Sequence, residues 1–301
     1  MLLTTILDSF LIYLQSEKNL AEKTVLAYNS DWQDFYNFLE TEAGQELASF
    51  EVEKIDHRLI RKYLAYLNNK GLSKTTAARR LAALKSFFRY LIKKDLIESN
   101  PLAQVATPKI PKKLPRHLEQ DDMTRVLEQP EEYSDTGLRD RALLELLYGA
   151  GIRVSELVQL DLGSIDLSYG YVRVFGKGAR ERIVPIGKLA ITTVKKYIQV
   201  ARPKWDLEHS SALFLNQKGG RLSDRTVRTL VNKYCRQANT RETVSPHGFR
   251  HSFASHLLDN GADLRAVQEL LGHKKISSTQ IYTHVSRNKL RKVYQLAHPR
   301  A

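Results

Sequence analysis

The chain has 301 residues, of which 42% are hydrophobic and 27% are charged, a composition typical of a soluble globular protein and not of a disordered one. At about 150 residues per domain, this length favours two domains. No run approaches the roughly 18 apolar residues of a membrane span, and the single cysteine, Cys235, excludes an internal disulfide framework. We therefore expect a cytoplasmic or nucleoid-associated protein with no membrane partner.

The net charge of +14 points to a polyanionic partner, because lysine and arginine release counterions when they bind phosphates. Nucleic acid is the first candidate; a membrane surface is the second by charge alone, and it is not expected to be the partner. The positive charge is concentrated in residues 57–94, which contain no acid, whereas residues 1–56 are acidic. Adjacent like charges are unfavourable unless a phosphate backbone compensates them. DNA is therefore expected to contact Lys74, Arg79, Arg80, Lys85 and Arg89.

The N-terminal part, residues 1–106, has the apolar periodicity of a small helical domain. Apolar residues three and four apart predict helices over 3–14, 24–39, 57–67 and 73–94. Its aromatic side chains recur at the spacing of a buried helix face, which favours a role in the core over base stacking. These residues are Trp32, Phe35, Tyr36 and Phe38.

A short basic segment follows, predicted as a linker over residues 107–117. It holds several of the prolines of the chain, and proline removes backbone donors and disfavours helix at the preceding residue, so the segment should run extended. It is either a plain linker or one that also follows a DNA backbone, with Lys109, Lys112 and Lys113 as its contacts.

Residues 118–301 are predicted to be mainly helical with a small β element. Asp121 and Asp122 favour a helix N-terminus. Alternation over 169–175 and 182–186, around a glycine-bearing turn, predicts a hairpin. Helical patterns cover 140–147, 191–201, 223–238 and 288–297, the last with Leu290, Val293 and Leu296 as an apolar stripe.

Five motifs in this part of the chain contain polar residues that could take part in catalysis. They begin at Gly149, Gly176, Pro246, Leu271 and Ile281, and they read GAGIRVSEL, GKGARERIVP, PHGFRHSFA, LGH and IYTH. In this order and spacing the chain resembles the tyrosine recombinase (phage integrase) family, specifically its Xer branch, across essentially its whole length. Each motif alone would be weak.

Two arginines in these motifs suit phosphodiester chemistry. A phosphodiester under attack gains negative charge on its non-bridging oxygens, which fixed cationic donors stabilise. The planar guanidinium of arginine holds two phosphate oxygens at once. His247 and Arg250 follow Ser245-Pro246, a helix-start signal that puts both near a helix N-terminus, where phosphate is attracted.

The resemblance implies a role for each motif residue. Arg153 and Arg250 clamp the phosphate, Glu156 orients Arg153, and His247 assists proton transfer or donates to the phosphate. His273 is a further phosphate donor and Lys177 the general acid for the departing 5′ oxygen. Tyr282 is the nucleophile. A phenol with a pKa near 10 needs a positive field or a base to react. No metal and no cofactor is expected.

Considered singly, each of these residues could have a structural role instead of a catalytic one. Either arginine would be a surface ion pair, Lys177 a solvated lysine, and Tyr282 a core aromatic. His247 and His251 have the spacing of a zinc-binding helix, but the metalloprotease signature needs a glutamate where Gly248 stands. His251, His256 and His284 are therefore expected to pack or to form hydrogen bonds.

The resemblance also implies a fold and partners. The fold is a mainly α, two-domain clamp, with an N-terminal four-helix SAM-like core-binding domain and a C-terminal mixed α/β catalytic domain with a small sheet. The partners are double-stranded DNA at a dif-like recombination site, a homo- or hetero-tetramer with a second Xer recombinase, and a DNA translocase. The terminal helix is expected to dock into a neighbouring protomer.

The implied function is the resolution of chromosome dimers during segregation. The alternatives are the integrase of a mobile element and a DNA-binding accessory protein without chemistry. A metal-dependent nuclease is disfavoured, because it would need clustered carboxylates.

Overall fold

The computed structural model describes residues 1–110, 117–176, 181–206, 208–272 and 284–301, without the side chains of 284–288. The chain divides into two compact units, Met1–Lys113 and Leu114–Ala301. The described residues are mainly helical, with a three-stranded antiparallel sheet in the second unit. The predicted fold class is thus confirmed, while the predicted linker bounds, residues 107–117, stay a prediction.

The first unit is built from four helices, as predicted. Two of them begin at polar caps: the side chain of Asp56 accepts a hydrogen bond from the Leu59 amide, and that of Ser73 accepts one from the Thr76 amide. Such caps satisfy amides that the helix itself leaves unbonded. The helices are α1 (Leu3–Ser16), α2 (Glu22–Thr41), α3 (His57–Asn69) and α4 (Lys74–Lys93).

Aromatic side chains form the core of the first unit. Trp32 and Phe35 are fully buried, and the ring centroid of Trp32 lies 4.7 Å from that of Phe87. Tyr36 and Phe38 are buried beside them. The prediction that these rings belong to the core is confirmed, and they are not available for base stacking.

The basic stretch is compensated in part by the acidic stretch that precedes it. The guanidinium of Arg80 pairs with Asp34, and that of Arg79 pairs with the buried Asp31. Lys94 pairs with Glu17 at 2.9 Å. The expectation that only a phosphate backbone could offset these charges is therefore wrong, because α1 and α2 bring carboxylates to α4.

The second unit contains the remaining described elements. Between α8 and α9 the chain makes a π-helical turn, Tyr197–Ala201, which continues the predicted helix over 191–201. The elements are α5 (Gln120–Leu127), α6 (Asp135–Gly149), α7 (Val154–Val158), β1 (Ile165–Asp166), β2 (Tyr171–Phe175), β3 (Glu181–Pro185), α8 (Lys188–Lys196), α9 (Asp224–Gln237), α10 (Pro246–Asp259), α11 (Leu264–Leu271) and α12 (His284–Ala297).

The predicted hairpin is present as β2 and β3. Val172 pairs with Val184 and Val174 pairs with Arg182, so these four side chains share the buried face of the sheet. Strand β1 adds a third, unpredicted strand, which at two residues is too short to show alternation. The register therefore carries Arg182 inward together with the valines.

The apolar face of α12 packs on its own unit. Leu290, Tyr294 and Ala297 are buried in the core of the second unit, whereas Leu296 is 87% exposed. The stripe predicted through Leu296 is therefore wrong. Positions 290, 294 and 297 face the core of the same unit, and the expected docking of this helix into a neighbouring protomer stays a prediction.

The tail beyond α12 is fixed by a buried ion pair. Arg300 pairs with the carboxylate of Glu145 on α6, whose side chain is almost fully buried. His298 stacks on Tyr294 with ring centroids 4.7 Å apart. Gly187 is required here, since a Cβ would lie 1.8 Å from the Arg300 carbonyl oxygen.

The Arg300→Ala variant should lose stability in a pH-dependent way. Burial raises the pKa of Glu145 despite Arg300, and removal of Arg300 raises it further. Above that pKa the buried carboxylate keeps Arg141, at 3.2 Å, as a partner but loses its charged hydrogen bonds to Arg300, at a cost of about 2 kcal/mol. Below it the carboxyl is neutral, so the loss shrinks as the pH falls.

Urea denaturation at pH 8 and pH 5 measures this difference. Lys204→Ala, which removes an exposed pair with Asp135, is the control and should change little at either pH. An equal loss of stability for Arg300→Ala at pH 8 and at pH 5 would contradict a Glu145 carboxylate whose charge Arg300 stabilises.

Candidate active site

The turn between α6 and α7 presents Arg153. Gly151 has φ +55°, and a Cβ there would lie 2.4 Å from the ring of Phe253 on α10. Only glycine fits this conformation and this contact without strain. This close approach at Gly151 precedes Arg153, which lies at the N-cap of α7.

Glu156 holds Arg153 from the next turn. Its Oε2 accepts a hydrogen bond from the Arg153 amide, and its Oε1 accepts one from Arg153 Nη1, both at 2.8 Å. The Arg153 side chain is still about half exposed. The arrangement agrees with the predicted orienting contact and leaves the guanidinium accessible.

Arg182 is a member of this cluster that sequence reasoning missed. Its Nη1 and Nη2 each donate to Glu156 at 2.8 Å, as a bidentate pair. Its Nε donates to the Leu270 carbonyl at 3.3 Å, and Gly272, with φ +67°, lets the Arg182 side chain pass where a Cβ would be 2.9 Å away. Arg182 thus ties β3 to the end of α11.

Arg250 reaches the same place from α10. The helix begins with Pro246 at its first position, as predicted. Arg250 is buried, its Nη1 donates to the Gly151 carbonyl at 2.7 Å, and its Nη2 donates to the Leu271 carbonyl. These bonds use two of the five N–H groups of a guanidinium. Arg250 therefore bridges the α6–α7 turn and the end of α11.

The cluster has more positive than negative charge. Burial, and then the charges of Arg153 and Arg182, lower the pKa of Arg250 to about 9. Burial alone would raise the pKa of Glu156, but hydrogen bonds and charges from Arg182 and Arg153 outweigh it and lower the pKa to about 2. Three guanidinium groups therefore surround one carboxylate, and an anion such as phosphate would relieve the repulsion.

The histidines divide into two kinds. His247 is exposed in the first turn of α10, one turn before Arg250. His256 is buried and hydrogen-bonded to Tyr148 and to the Leu118 carbonyl, and the ring of His251 contacts that of His117. The packing and hydrogen-bonding roles predicted for His251 and His256 agree with these contacts. Within the described ranges, no group of three or more metal-ligating side chains occurs.

Several predicted site residues lie outside the described residues. They are Lys177, His273 and Tyr282 of the catalytic set and Lys112 and Lys113 of the DNA-contacting set, and the side chain of His284 belongs with them. Their roles stay predictions. The described flanks are Phe175 paired with Glu181, and Gly272 at the end of α11.

The basic residues predicted to contact DNA differ in exposure. Lys74, Arg79, Arg89 and Lys109 are exposed. Arg80 and Lys85 are partly buried and bonded within the unit, Lys85 to the Val105 carbonyl at 2.6 Å.

Helix α9 exposes a further basic face that the sequence analysis did not select. Its residues are Arg225, Arg228, Lys233 and Arg236. Their spacing of three, five and three was a signal that could have found them. Among the described helices none is long and apolar enough to span a bilayer.

Two family models match the chain. The phage integrase family model matches residues 116–289, and the model of the phage integrase N-terminal SAM-like domain matches residues 7–95. The chain is 47% identical to the tyrosine recombinase XerC of Pelotomaculum thermopropionicum, with 98% of each covered. It is 42% identical to the tyrosine recombinase XerD of Staphylococcus epidermidis, covering 99% of this chain and 100% of the relative.

Solved recombinase structures share the fold. A XerH site-specific recombinase bound to difH substrate in a pre-cleavage complex matches with a TM-score of 0.67 and 25% identity, over 96% of this chain and 81% of that one. A lambda integrase dimer bound to a core site matches with a TM-score of 0.67 and 21% identity, over 91% of this chain and 96% of that one, which supports the fold alone.

Glu156→Gln should lose the pH dependence that this carboxylate contributes. A pKa of about 2 against the usual 4.5 corresponds to about 3 kcal/mol of stability. Because the folded pKa is the lower one, this contribution is complete above pH 4.5 and disappears as the pH falls towards 2.

The free energy of unfolding, measured by urea denaturation from pH 7 to pH 2, checks this. The variant should be less stable at pH 7 and should approach the wild type at pH 2. Glu269→Gln, which weakens a more exposed pair with Arg265, is the control and should follow the wild-type curve. A variant curve parallel to wild type throughout would overturn the assigned pKa.

Proposed function

The chain belongs to the phage integrase family, as a site-specific tyrosine recombinase of the Xer type, and from this premise we propose that Tyr282 cuts and rejoins DNA through a 3′-phosphotyrosyl link. The observation that carries the proposal is the guanidinium cluster around Glu156. It offers fixed cationic donors in a partly buried setting, as a phosphodiester under nucleophilic attack requires.

The arginines stabilise the phosphate in this proposal. Arg153 presents an accessible planar fork that can hold a non-bridging oxygen pair. Arg250 is held by two carbonyls, and its contacts with the described residues leave three of its N–H groups for an anion. Both donors are fixed before the substrate arrives, so no reorganisation is needed as negative charge develops on the phosphate.

The chemical step balances without an external energy source. The Tyr282 oxygen forms a bond to phosphorus, its proton passes to His247 or His273, and the bond from phosphorus to the 5′ oxygen breaks. Lys177 protonates the departing 5′ oxygen. The phosphotyrosyl diester is close in energy to the bond that was broken, so the reverse attack reseals the strand without ATP. The cationic side chains supply the charge stabilisation that metal ions provide in two-metal nucleases.

We further propose the cellular role and the assembly. Related structures are recombinases bound to DNA, some of them multimeric. The proposed assembly is a tetramer on two dif-like sites, formed with further copies or with a second Xer recombinase and assisted by a DNA translocase. It would resolve chromosome dimers in the nucleoid. The integrase of a mobile element is the alternative, and genomic mapping of covalent complexes distinguishes the two.

Tyr282→Phe should abolish covalent complex formation on a nicked suicide substrate, because phenylalanine lacks the attacking oxygen. The measurement is a denaturing gel of the radiolabelled strand. Tyr169→Phe removes the same hydroxyl from an exposed tyrosine of the same unit and should trap as much complex as wild type. Equal trapping by Tyr282→Phe would refute the mechanism.

Two exposed basic faces are proposed as the DNA contacts. The first is the α4 face with Lys74, Arg79 and Arg89, and the exposed Lys109 is proposed as a further contact. The second is the α9 face, where an open groove is lined by Thr229, Asn232, Lys233, Arg236 and Gln237. The mixture of cationic and amide side chains on α9 suits contacts to both phosphates and base edges.

Removal of one exposed cation from either face should weaken DNA binding and lower its salt dependence. Arg89→Ala and Arg228→Ala should each reduce the slope of log K against log salt by about 0.9, because one phosphate contact is lost. Fluorescence anisotropy over a salt series measures the slope. Lys195→Ala changes the same charge on α8, outside both faces, and should leave the slope unchanged. Unchanged slopes for both arginine variants would exclude these faces.

A further inference from the structure

Leu118, near the start of the described part of the second unit, is bonded to α10 twice. Its amide donates to Ser252 Oγ at 2.8 Å, and its carbonyl accepts a hydrogen bond from His256 Nε2 at 2.8 Å. The Leu118 side chain is buried in the core of the unit. The two bonds lie one helical turn apart, so they fix both the rotation and the height of α10 against this segment.

Ser252 passes this contact on to the first turn of α10. Its hydroxyl donates to the Gly248 carbonyl at 3.0 Å while it accepts from Leu118. Gly248 follows His247 and precedes Arg250 by two residues. When a serine hydroxyl donates to the carbonyl four residues earlier, that carbonyl accepts a second hydrogen bond and the helix tends to bend. Two hydrogen bonds thus connect Leu118 to the turn that carries both proposed catalytic side chains.

His256 is held in one tautomer by its two partners. Since Nε2 faces a carbonyl oxygen, Nε2 carries the proton, and Nδ1 accepts from the Tyr148 hydroxyl at 2.8 Å. Burial lowers the pKa of His256, which keeps the ring neutral. Both ring nitrogens are therefore committed to holding α10, and neither is available for proton transfer.

We infer that Ser252 and His256 are positioning residues for strand cleavage, which hold His247 and Arg250 in place by bonding α10 to the Leu118 backbone. This inference rests on the proposed roles of His247 and Arg250. On this inference, one face of α10 carries the side chains proposed to bind the phosphate, and another face bonds the backbone of Leu118. A shift of that backbone would then be transmitted to the catalytic turn.

Ser252→Ala tests the inference in the full-length protein. The variant loses the acceptor for the Leu118 amide and the bond to Gly248, so the first turn of α10 is free to move. The rate constant of covalent complex formation on a saturating nicked duplex should fall about tenfold or more, since a misplacement of about 1 Å can cost up to a hundredfold. The dissociation constant for DNA should not change.

His256 supplies an independent pair of variants. His256→Ala should slow cleavage in the same way, again without weaker DNA binding. His256→Gln places an amide N–H near the position of Nε2, so it can still donate to the Leu118 carbonyl and should restore most of the rate. Failure of the glutamine variant to exceed the alanine variant would count against the inference.

Tyr197→Phe is the matched control for stability. The Tyr197 hydroxyl accepts a hydrogen bond from the buried backbone amide of Leu215 at 3.0 Å. Its removal leaves a buried amide without its acceptor, as Ser252→Ala does, but at a position away from α10. Cleavage at the wild-type rate by Tyr197→Phe and slow cleavage by Ser252→Ala support positioning. Equal rates for these two variants overturn it and leave Ser252 a purely structural role.

Arg250→Ala separates this inference from the proposed function. If Arg250→Ala is inactive while Ser252→Ala and His256→Ala cleave like wild type, the inference fails and the proposed function stands. If Arg250→Ala itself cleaves like wild type, the proposed function fails. Melting temperatures of all variants confirm that each is folded at the assay temperature.

Discussion

The Glu156 carboxylate is the constraint on which the rest of the site depends. It accepts four hydrogen bonds from two arginines, one of them from a backbone amide. Through Arg153 it caps α7, and through Arg182 it reaches β3 and the end of α11. The carbonyl beside that end, Leu271, holds Arg250. One buried carboxylate thereby fixes cationic side chains that come from distant parts of the sequence.

The cluster is held together against its own repulsion. Burial lowers the pKa of Arg250, and the charges of Arg153 and Arg182 lower it further, so the three guanidinium groups repel one another. Burial and carbonyl acceptors keep them in place. A bound phosphate would remove this repulsion. The repulsion that destabilises the free protein would therefore favour phosphate binding, as expected of a preorganised electrostatic site.

The sequence predicted the elements and only part of the site. Caps at Asp56 and Ser73 and the proline at position 246 mark helix starts locally, and the spacing of Arg153 and Glu156 brings them together within one turn. Arg182 was missed because its partner lies 26 positions away. The alternation over 182–186 puts Arg182 on the same face as Val184, but its carboxylate partner is apparent only in the folded structure.

Two errors have a shared physical origin. The basic stretch looked uncompensated because its carboxylates, Asp31, Asp34 and Glu17, come from other helices, and charge pairing between helices leaves no local pattern. In α12, the stripe through Leu296 and the true one through Tyr294 and Ala297 share Leu290 and differ by one position in each of the next two turns. The choice between them depends on the shape of the surface that receives the helix, which only the tertiary structure provides.

Helix α10 is the element through which these separate contacts become one site. Phe253 packs on Gly151, Arg250 bonds the turn before α7 and the end of α11, and Ser252 and His256 bond Leu118. At its other end Asn260 donates to the Ala297 carbonyl at 2.7 Å, beside the tail that Arg300 anchors. A helix held along its whole length cannot shift at one contact without disturbing the others. The first turn of α10 is therefore sensitive both to the segment around Leu118 and to the helix that ends the unit.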